Sequence, residues 1–194
     1  MGKFLYKILF FSLLTGSTAC APAMQPIRDS ASLEPEYPWD SCSYGIGDHA
    51  CDFALKDQDN NEVNLYDFYG KTIVIDFSTM WCGPCQMAAS EAQGVKDVFS
   101  DMGLAYLTVL VENTDGDDPS IADCNDWANI YGITEPVLAG DRGLIDTFGA
   151  HGWPITSWPT FFFITEDMVI DSVLRGFSSA YIEQLILEAM KKGA

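Results

Sequence analysis

The chain has 194 residues, 48% of them hydrophobic and 13% aromatic, which excludes a disordered segment and suits one globular domain of roughly 150 residues with a tail. Ten basic residues face 28 acidic ones, a formal net charge of −18. Such a surface repels phosphate backbones and excludes nucleic acid as a partner.

The opening stretch MGKFLYKILFFSLLTGSTAC has a basic start, an apolar run from Ile8 to Leu14 and small residues up to Cys20. Residues 1–19 therefore read as an export signal, too short for a good membrane span. The small residues before Cys20 resemble a bacterial lipoprotein cleavage site, in which the cysteine becomes the lipidated first residue of the mature protein. Ser17 stands where that pattern has an aliphatic residue. Residues 20–45, with Pro22, Pro26, Pro35 and Pro38 among small polar residues, are expected to form a tether, and residues 46–194 the folded domain.

Export sets the redox compartment in which the six cysteines are read. Cys42 and Cys51 flank SYGIGDHA, a Gly-containing loop able to turn back on itself, and are expected to bridge; two free thiols are the alternative. Cys124 reads as a buried small apolar residue on a helix.

From Gly45 the pattern becomes globular. Phe53–Leu55 and Val63–Leu65 make a hairpin around the polar KDQDNNE. Asp57, Asp59 and Asn61 have a calcium-loop spacing, but Glu62 stands where such a loop needs Gly, so turn chemistry is the reading. Lys71–Thr79 is a buried strand that runs straight into MWCGPCQ. Ala88, Ala89, Ala92, Val95 and Phe99 then recur at helical spacing, predicting a helix from about Gly83 to Ser100. Leu104–Val111 is a second buried strand, followed by the acidic loop ENTDGDDPS. A helix opened by Pro119 and closed by Gly132 holds Cys124, Trp127 and Ile130. Val137-Leu138 is a short strand end and Gly140–Phe148 a short helix. Strands Phe161–Thr165 and Val169–Leu174 form a hairpin, and Ile182, Leu185, Ile186, Ala189 and Met190 mark one face of a terminal helix. This order predicts an α/β fold, a central mixed sheet with helices on both faces and an N-terminal hairpin extension.

In that arrangement Cys82 sits where a strand's carboxyl end meets a helix's amino end. Unpaired backbone amides and the helix dipole favour a thiolate there, and helix-start CxxC thiols have pKa values that fall to about 7 or lower. Cys85, one turn further in, is placed to attack a mixed disulfide formed at Cys82. Pro84 suits the first turn. Zinc would need two more ligands at compatible spacing, and the only histidines are His49 and His151, so neither a metal nor a cofactor is expected.

WCGPC after a strand ending in DF, with Pro159-Thr160 before a later strand, resembles the thioredoxin superfamily over about residues 46–194. The export signal, the early hairpin and the insertion before the last hairpin are similar to its TlpA/ResA-like branch, thiol-disulfide reductases anchored in the bacterial cell envelope. The resemblance implies a redox-active Cys82–Cys85 disulfide, Asp76 as the buried carboxylate that accepts the Cys85 proton, and Pro159 as a cis-proline facing the CxxC. It implies that Trp81, Gly83, Pro84, Trp158 and Thr160 contact substrate; Trp81, Trp153 and Trp158 are candidates for an apolar docking surface, with core packing the alternative for some of them and the reading for Trp127. The implied partners are proteins with disulfides and a membrane electron donor. The implied location is the periplasm or cell envelope, held by a lipid anchor. Members of this branch often carry a Glu near the site and a charged residue between the cysteines, where this chain has Gly83-Pro84. That pair suits a thioredoxin-like potential, about −270 mV against about −120 mV for a strong oxidant, and hence the reducing direction. Two alternatives remain open: a thiol peroxidase with Thr79 three residues before Cys82, although Ile75 replaces the proline of that pattern, and a Cu(I) module using Cys82, Cys85 and His151.

Overall fold

A computed structural model of the chain describes residues 37–193. The leader, Cys20 and residues 20–36 of the expected tether lie outside the described residues. Seven strands and three α-helices follow in the order β1 Ala54–Asp57, β2 Glu62–Asn64, β3 Thr72–Thr79, α1 Gly83–Phe99, β4 Leu104–Glu112, α2 Ile121–Tyr131, β5 Val137–Ala139, β6 Thr160–Ile164, β7 Ile170–Arg175 and α3 Ser179–Gly193. Among the described residues no helix is long and apolar enough to cross a membrane.

The strands form one mixed sheet in the order β2-β1-β5-β4-β3-β6-β7. β3 and β4 are buried at every position, which explains their unbroken β-branched and leucine-rich runs: each has both faces covered and a strand on either side. They pair in parallel, whereas β6 runs antiparallel to β3 with Phe77 opposite Thr160. The carboxyl ends of β3 and β4 and the amino end of β6 consequently meet at one edge of the sheet.

Side chains alternate across the pleat and divide the core in two. Val74, Tyr106, Leu110, Phe161 and Phe163 face one way and pack against Ala88, Ala92 and Phe99 of α1, Cys124 and Trp127 of α2, and Ile182 and Ile186 of α3. Ile73, Ile75, Phe77, Leu107, Val109 and Phe162 face the other way, toward Phe53, Leu65, Trp153 and Ile155. The α/β class, the mixed sheet and the N-terminal hairpin match the expectation; the three α-helices pack on one face of the sheet, and the helical cover of the other is short. The opposite face is covered by 3-10 turns at Leu65–Phe68 and Arg142–Leu144 and by the loop between β5 and β6. The physical reason lies in residues 140–148, read as a short helix. Asp141 and Asp146 spend their carboxylates on the backbone N–H groups of Gly143, Phe148, Ala150 and His151, a local turn chemistry that competes with helix continuation.

Sequence-local details follow the same logic. In the β1–β2 turn the Asp57 carboxylate accepts from the N–H groups of Asp59 (2.9 Å) and Asn61 (2.8 Å), so these residues close a hairpin. Ser120 and Asp123 form a reciprocal capping box at the start of α2, and Gly132 ends that helix with φ 67°, a conformation open to glycine at little cost.

Residues 37–45, read as the end of the tether, pack against the folded domain. Trp39 stacks on His49 at 4.4 Å between ring centroids, and both Tyr37 and Trp39 lie against Tyr66 and Tyr69. A Cys42–Cys51 disulfide closes the intervening loop, with 4.8 Å between Cα atoms. Three backbone bonds pin that loop to the start of β7: Gly47 N–H to Ile170 O, Ala50 N–H to Met168 O, and Ile170 N–H to Asp48 O. Aromatic area next to Pro38 and the cross-link together turn what reads as tether into part of the domain. Replacing both Cys42 and Cys51 with serine removes a constraint on the unfolded chain. The expected loss is about 2–3 kcal/mol of stability, read as a lowered urea midpoint with little change in slope.

Candidate functional site

β3 delivers its chain directly to the redox pair. Cys82 is the N-cap of α1, with φ −85° and ψ 114°, and Gly83 and Pro84 make up the exposed first helical positions. Cys82 and Cys85 are joined as a disulfide with 5.2 Å between Cα atoms. The Cys85 N–H is shared between Cys82 O at 3.1 Å and Cys82 Sγ at 3.2 Å, so an amide of the first helical turn also reaches the first sulfur. Cys82 is 6% exposed and Cys85 fully buried, which orders them: only the first sulfur faces an incoming molecule.

Asp76 lies on the helix-covered face of β3, the face that also carries Val74, and is 1% exposed. Its Oδ1 accepts from Ser78 Oγ at 2.7 Å. Tyr106 approaches the carboxyl without closing a hydrogen bond of ordinary geometry, and Oδ2 has no partner. Burial pushes Asp76 up to about 7, against the smaller opposing pull of Ser78 and Tyr106. The same burial, together with the Asp76 charge, pushes the Tyr106 phenol well above its ordinary value.

Because β6 is antiparallel to β3, its amino end returns to the CxxC edge. The Trp158–Pro159 peptide bond is cis, Pro159 is buried, and Thr160 Oγ1 donates to Ser157 O at 2.7 Å. β4 brings a further group that the sequence reading did not single out. Glu112 stands opposite Thr79 at the end of β4, 8% exposed. Trp81 Nε1–H donates to its Oε2 at 2.8 Å, and Arg142 Nε–H donates to its Oε1 at 2.5 Å while also forming an ion pair with that oxygen. The Arg142 guanidinium lies over the Trp158 ring, 5.7 Å from its centroid. One buried carboxylate thus links the tryptophan before Cys82 to the tryptophan before the cis-proline. A signal existed for Glu112, a charged residue closing the apolar run LAYLTVLV on the strand beside β3. None existed for Arg142, whose place depends on the turn after β5.

Residues predicted for the site do not all gather there. Trp81 is 47% exposed and Trp158 half-buried at the edge, but Trp153 is 1% exposed and packs against Phe77 and Phe162. Trp153 is therefore core, not docking surface: its ring is needed to fill the sheet face that lacks an α-helix. Thr79, required by the peroxide reading, is fully buried with its hydroxyl unpartnered. No group of three or more His, Cys, Asp or Glu side chains able to hold a metal exists among the described residues, so His151 is not brought to the cysteines. Cys124 is buried on α2 and its thiol is pushed up to about 12 by desolvation and by nearby Asp123 and Asp57, which leaves it unreactive.

Residues 46–173 match the AhpC/TSA family. The chain belongs to that thioredoxin-like family. It is 25% identical over 127 residues to the thioredoxin-like protein YneN of Bacillus subtilis, covering 66% of this chain and 69% of that one. It is 26% identical over 141 residues to the thiol-disulfide oxidoreductase ResA of Oceanobacillus iheyensis, covering 71% and 68%. The pneumococcal exposed lipoprotein thioredoxin of Streptococcus pneumoniae superposes with a TM-score of 0.56 at 26% identity, over 73% of this chain and 99% of that one. These similarities place the chain in the TlpA/ResA-like part of the thioredoxin superfamily.

The position of Asp76 has a consequence for stability. An aspartate that titrates near 3.8 when unfolded and at about 7 when folded binds more protons in the native state between those values, so it destabilises increasingly as pH rises through that window. In Asp76→Asn the penalty is absent. Relative to the wild type the variant is expected to gain roughly 2–4 kcal/mol at pH 8 and almost nothing at pH 4, read from paired urea titrations.

Proposed function

We propose that this protein is a thiol-disulfide oxidoreductase of the cell envelope that reduces disulfides in other proteins through Cys82 and Cys85. The observation that carries this reading is the disulfide at the amino end of α1, its first sulfur outermost and met by the Cys85 N–H, with a cis-proline returning to the same edge. The curated relatives are thiol-disulfide oxidoreductases by name, which supports the same activity. The leader ending at Cys20 and the likeness to an exposed lipoprotein thioredoxin support export and lipid anchoring.

In the dithiol form the Cys82 thiolate is held by the amides of α1 and attacks one sulfur of a substrate disulfide. A bond forms between Cys82 Sγ and that sulfur, the substrate S–S bond breaks, and the second substrate sulfur leaves as a thiolate that takes up a proton. Trp81, the exposed Gly83-Pro84 turn and Trp158 bound the approach, and the backbone of Trp158 beside Pro159 is available for strand-like pairing with an extended peptide. Asp76 then accepts the Cys85 proton, a task for which a pKa of about 7 is suited near neutral pH. The Cys85 thiolate attacks Cys82 Sγ, the Cys82–Cys85 disulfide forms, and the remaining substrate sulfur leaves with a proton. Two electrons pass to the substrate in each cycle. A dithiol reductant held in the membrane restores the pair by the reverse exchange.

The activity is tested by insulin reduction with dithiothreitol. Wild-type protein is expected to accelerate precipitation, Cys82→Ser to abolish the acceleration, and Cys85→Ser to accumulate mixed disulfides that persist until a thiol is added. Asp76→Asn is expected to slow turnover about tenfold or more by delaying resolution at Cys85. An inactive wild type would refute the reading, and a reduction potential above about −180 mV would reverse its direction.

A further inference from the structure

Beside Trp158 lies a cavity of about 290 Å³ lined by Arg142, Thr147, Ile155, Thr156, Ser157 and Trp158. Its lining holds one charged residue, a cation, and no acid, in a chain with 28 acidic and 10 basic residues. The acids nearest in sequence are not in the lining and are engaged by backbone: Asp141 accepts from the Gly143 N–H, and Asp146 from the N–H groups of Phe148, Ala150 and His151. Those three bonds hold the Asp146 carboxyl below its ordinary value, so it stays charged and committed to its own loop.

Arg142 lines this cavity and is held in place: Glu112 Oε1 receives its Nε and one of its terminal nitrogens, and the guanidinium lies over the Trp158 ring. A guanidinium has five N–H donors in a fixed fork; the pairing with Glu112 engages Nε and one terminal nitrogen, and the Arg142 side chain as a whole is 57% exposed. Threonine and serine residues complete a polar lining around it. A planar acceptor with two oxygens matches this set of donors.

We propose that this cavity is a subsite for a carboxylate, supplied by an Asp or Glu side chain that flanks the cysteine of the substrate polypeptide, with Arg142 as the specificity-determining residue. The inference rests on the protein-disulfide reductase reading above and names a chemical class for its substrates. Position favours a substrate side chain over a free anion: the cavity shares Trp158 with the cis peptide bond, so a chain paired there carries its neighbouring side chains past Arg142. The chain's negative charge does not forbid it, because salt screens separated surface charges beyond about 8 Å while a contact pair is screened far less.

The test uses disulfide-bonded peptides that are identical except for Glu or Gln at one position flanking the cysteine, each position tried in turn. With wild-type protein the Glu peptide is expected to show a roughly five- to tenfold higher kcat/KM at one position, carried by KM. That ratio, measured within each variant, should fall to about one in Arg142→Gln and be partly retained in Arg142→Lys. A ratio near one at every position in the wild type, or an unchanged ratio in Arg142→Gln, overturns the subsite while leaving the reductase reading intact; failure to reduce either peptide overturns both. An independent reading avoids the variants. In wild-type protein the Arg142 Nε–H resonance is expected to move on titration with a Glu peptide whose cysteines are replaced by serine, and to stay with its Gln counterpart. Acetate shifting that resonance at the same concentration as the Glu peptide would assign the cavity to free carboxylates and overturn the substrate assignment.

Discussion

A helix that starts directly at the end of a buried strand begins with amide groups that lack a carbonyl four residues back, and in this chain one of them, shared with the Cys82 carbonyl, reaches the sulfur of Cys82. Every other feature of the active edge depends on that junction. β3 is buried along its whole length and flanked on both sides, so the position at which α1 begins is fixed to the sheet. Moving the junction by a residue would turn Cys85 out of the core or Cys82 into it.

The edge is also held from side to side. Glu112 is a nearly buried charge, and taking a carboxylate out of water costs several kcal/mol unless it is paired and hydrogen-bonded. Here one oxygen receives the Trp81 indole and the other the Arg142 guanidinium, so both oxygens are answered. The compensation makes the residue a tie among four segments: the end of β3, the end of β4, the turn after β5 and the loop before β6. Asp76 is the opposite design. One of its oxygens lacks a partner, and its proton affinity is raised to the range in which it exchanges protons at neutral pH. Two buried carboxylates on neighbouring strands thus serve different ends, one tied on both oxygens to its partners and one left able to exchange a proton.

Aromatic rings fill much of the sheet face that has no α-helix. Trp153, Phe77 and Phe162 fill it with tilted and edge-on ring contacts at 4.7–5.8 Å, while loops and 3-10 turns provide the cover. The Cys42–Cys51 loop seals the margin of that face by adding backbone bonds to the start of β7, an edge strand that would otherwise offer unpaired groups there.

Much of this was written locally. Uniform burial made β3 and β4 legible as apolar runs, the 3.6-residue recurrence made α1 and α3 legible, and the spacing of Cys82 and Cys85 specified one helical turn between two sulfurs. Asp76 and Pro159 were placed by the resemblance of the residues around WCGPC and Pro159-Thr160 to the thioredoxin superfamily, and the strands that carry them run into the site. What the sequence left undecided depends on which distant segments meet. The helices came to share one face because residues 140–148 satisfy their backbone with Asp141 and Asp146 and form turns, and Trp153 was then required inside. Glu112 and Arg142 are 30 residues apart, and each is an ordinary charge until the parallel register of β3 and β4 brings Thr79 opposite Glu112 and the turn after β5 folds back beside Trp158. A pattern read along one chain reports periodicity and local bonding; a charge pair across three strand ends exists only once the sheet has closed.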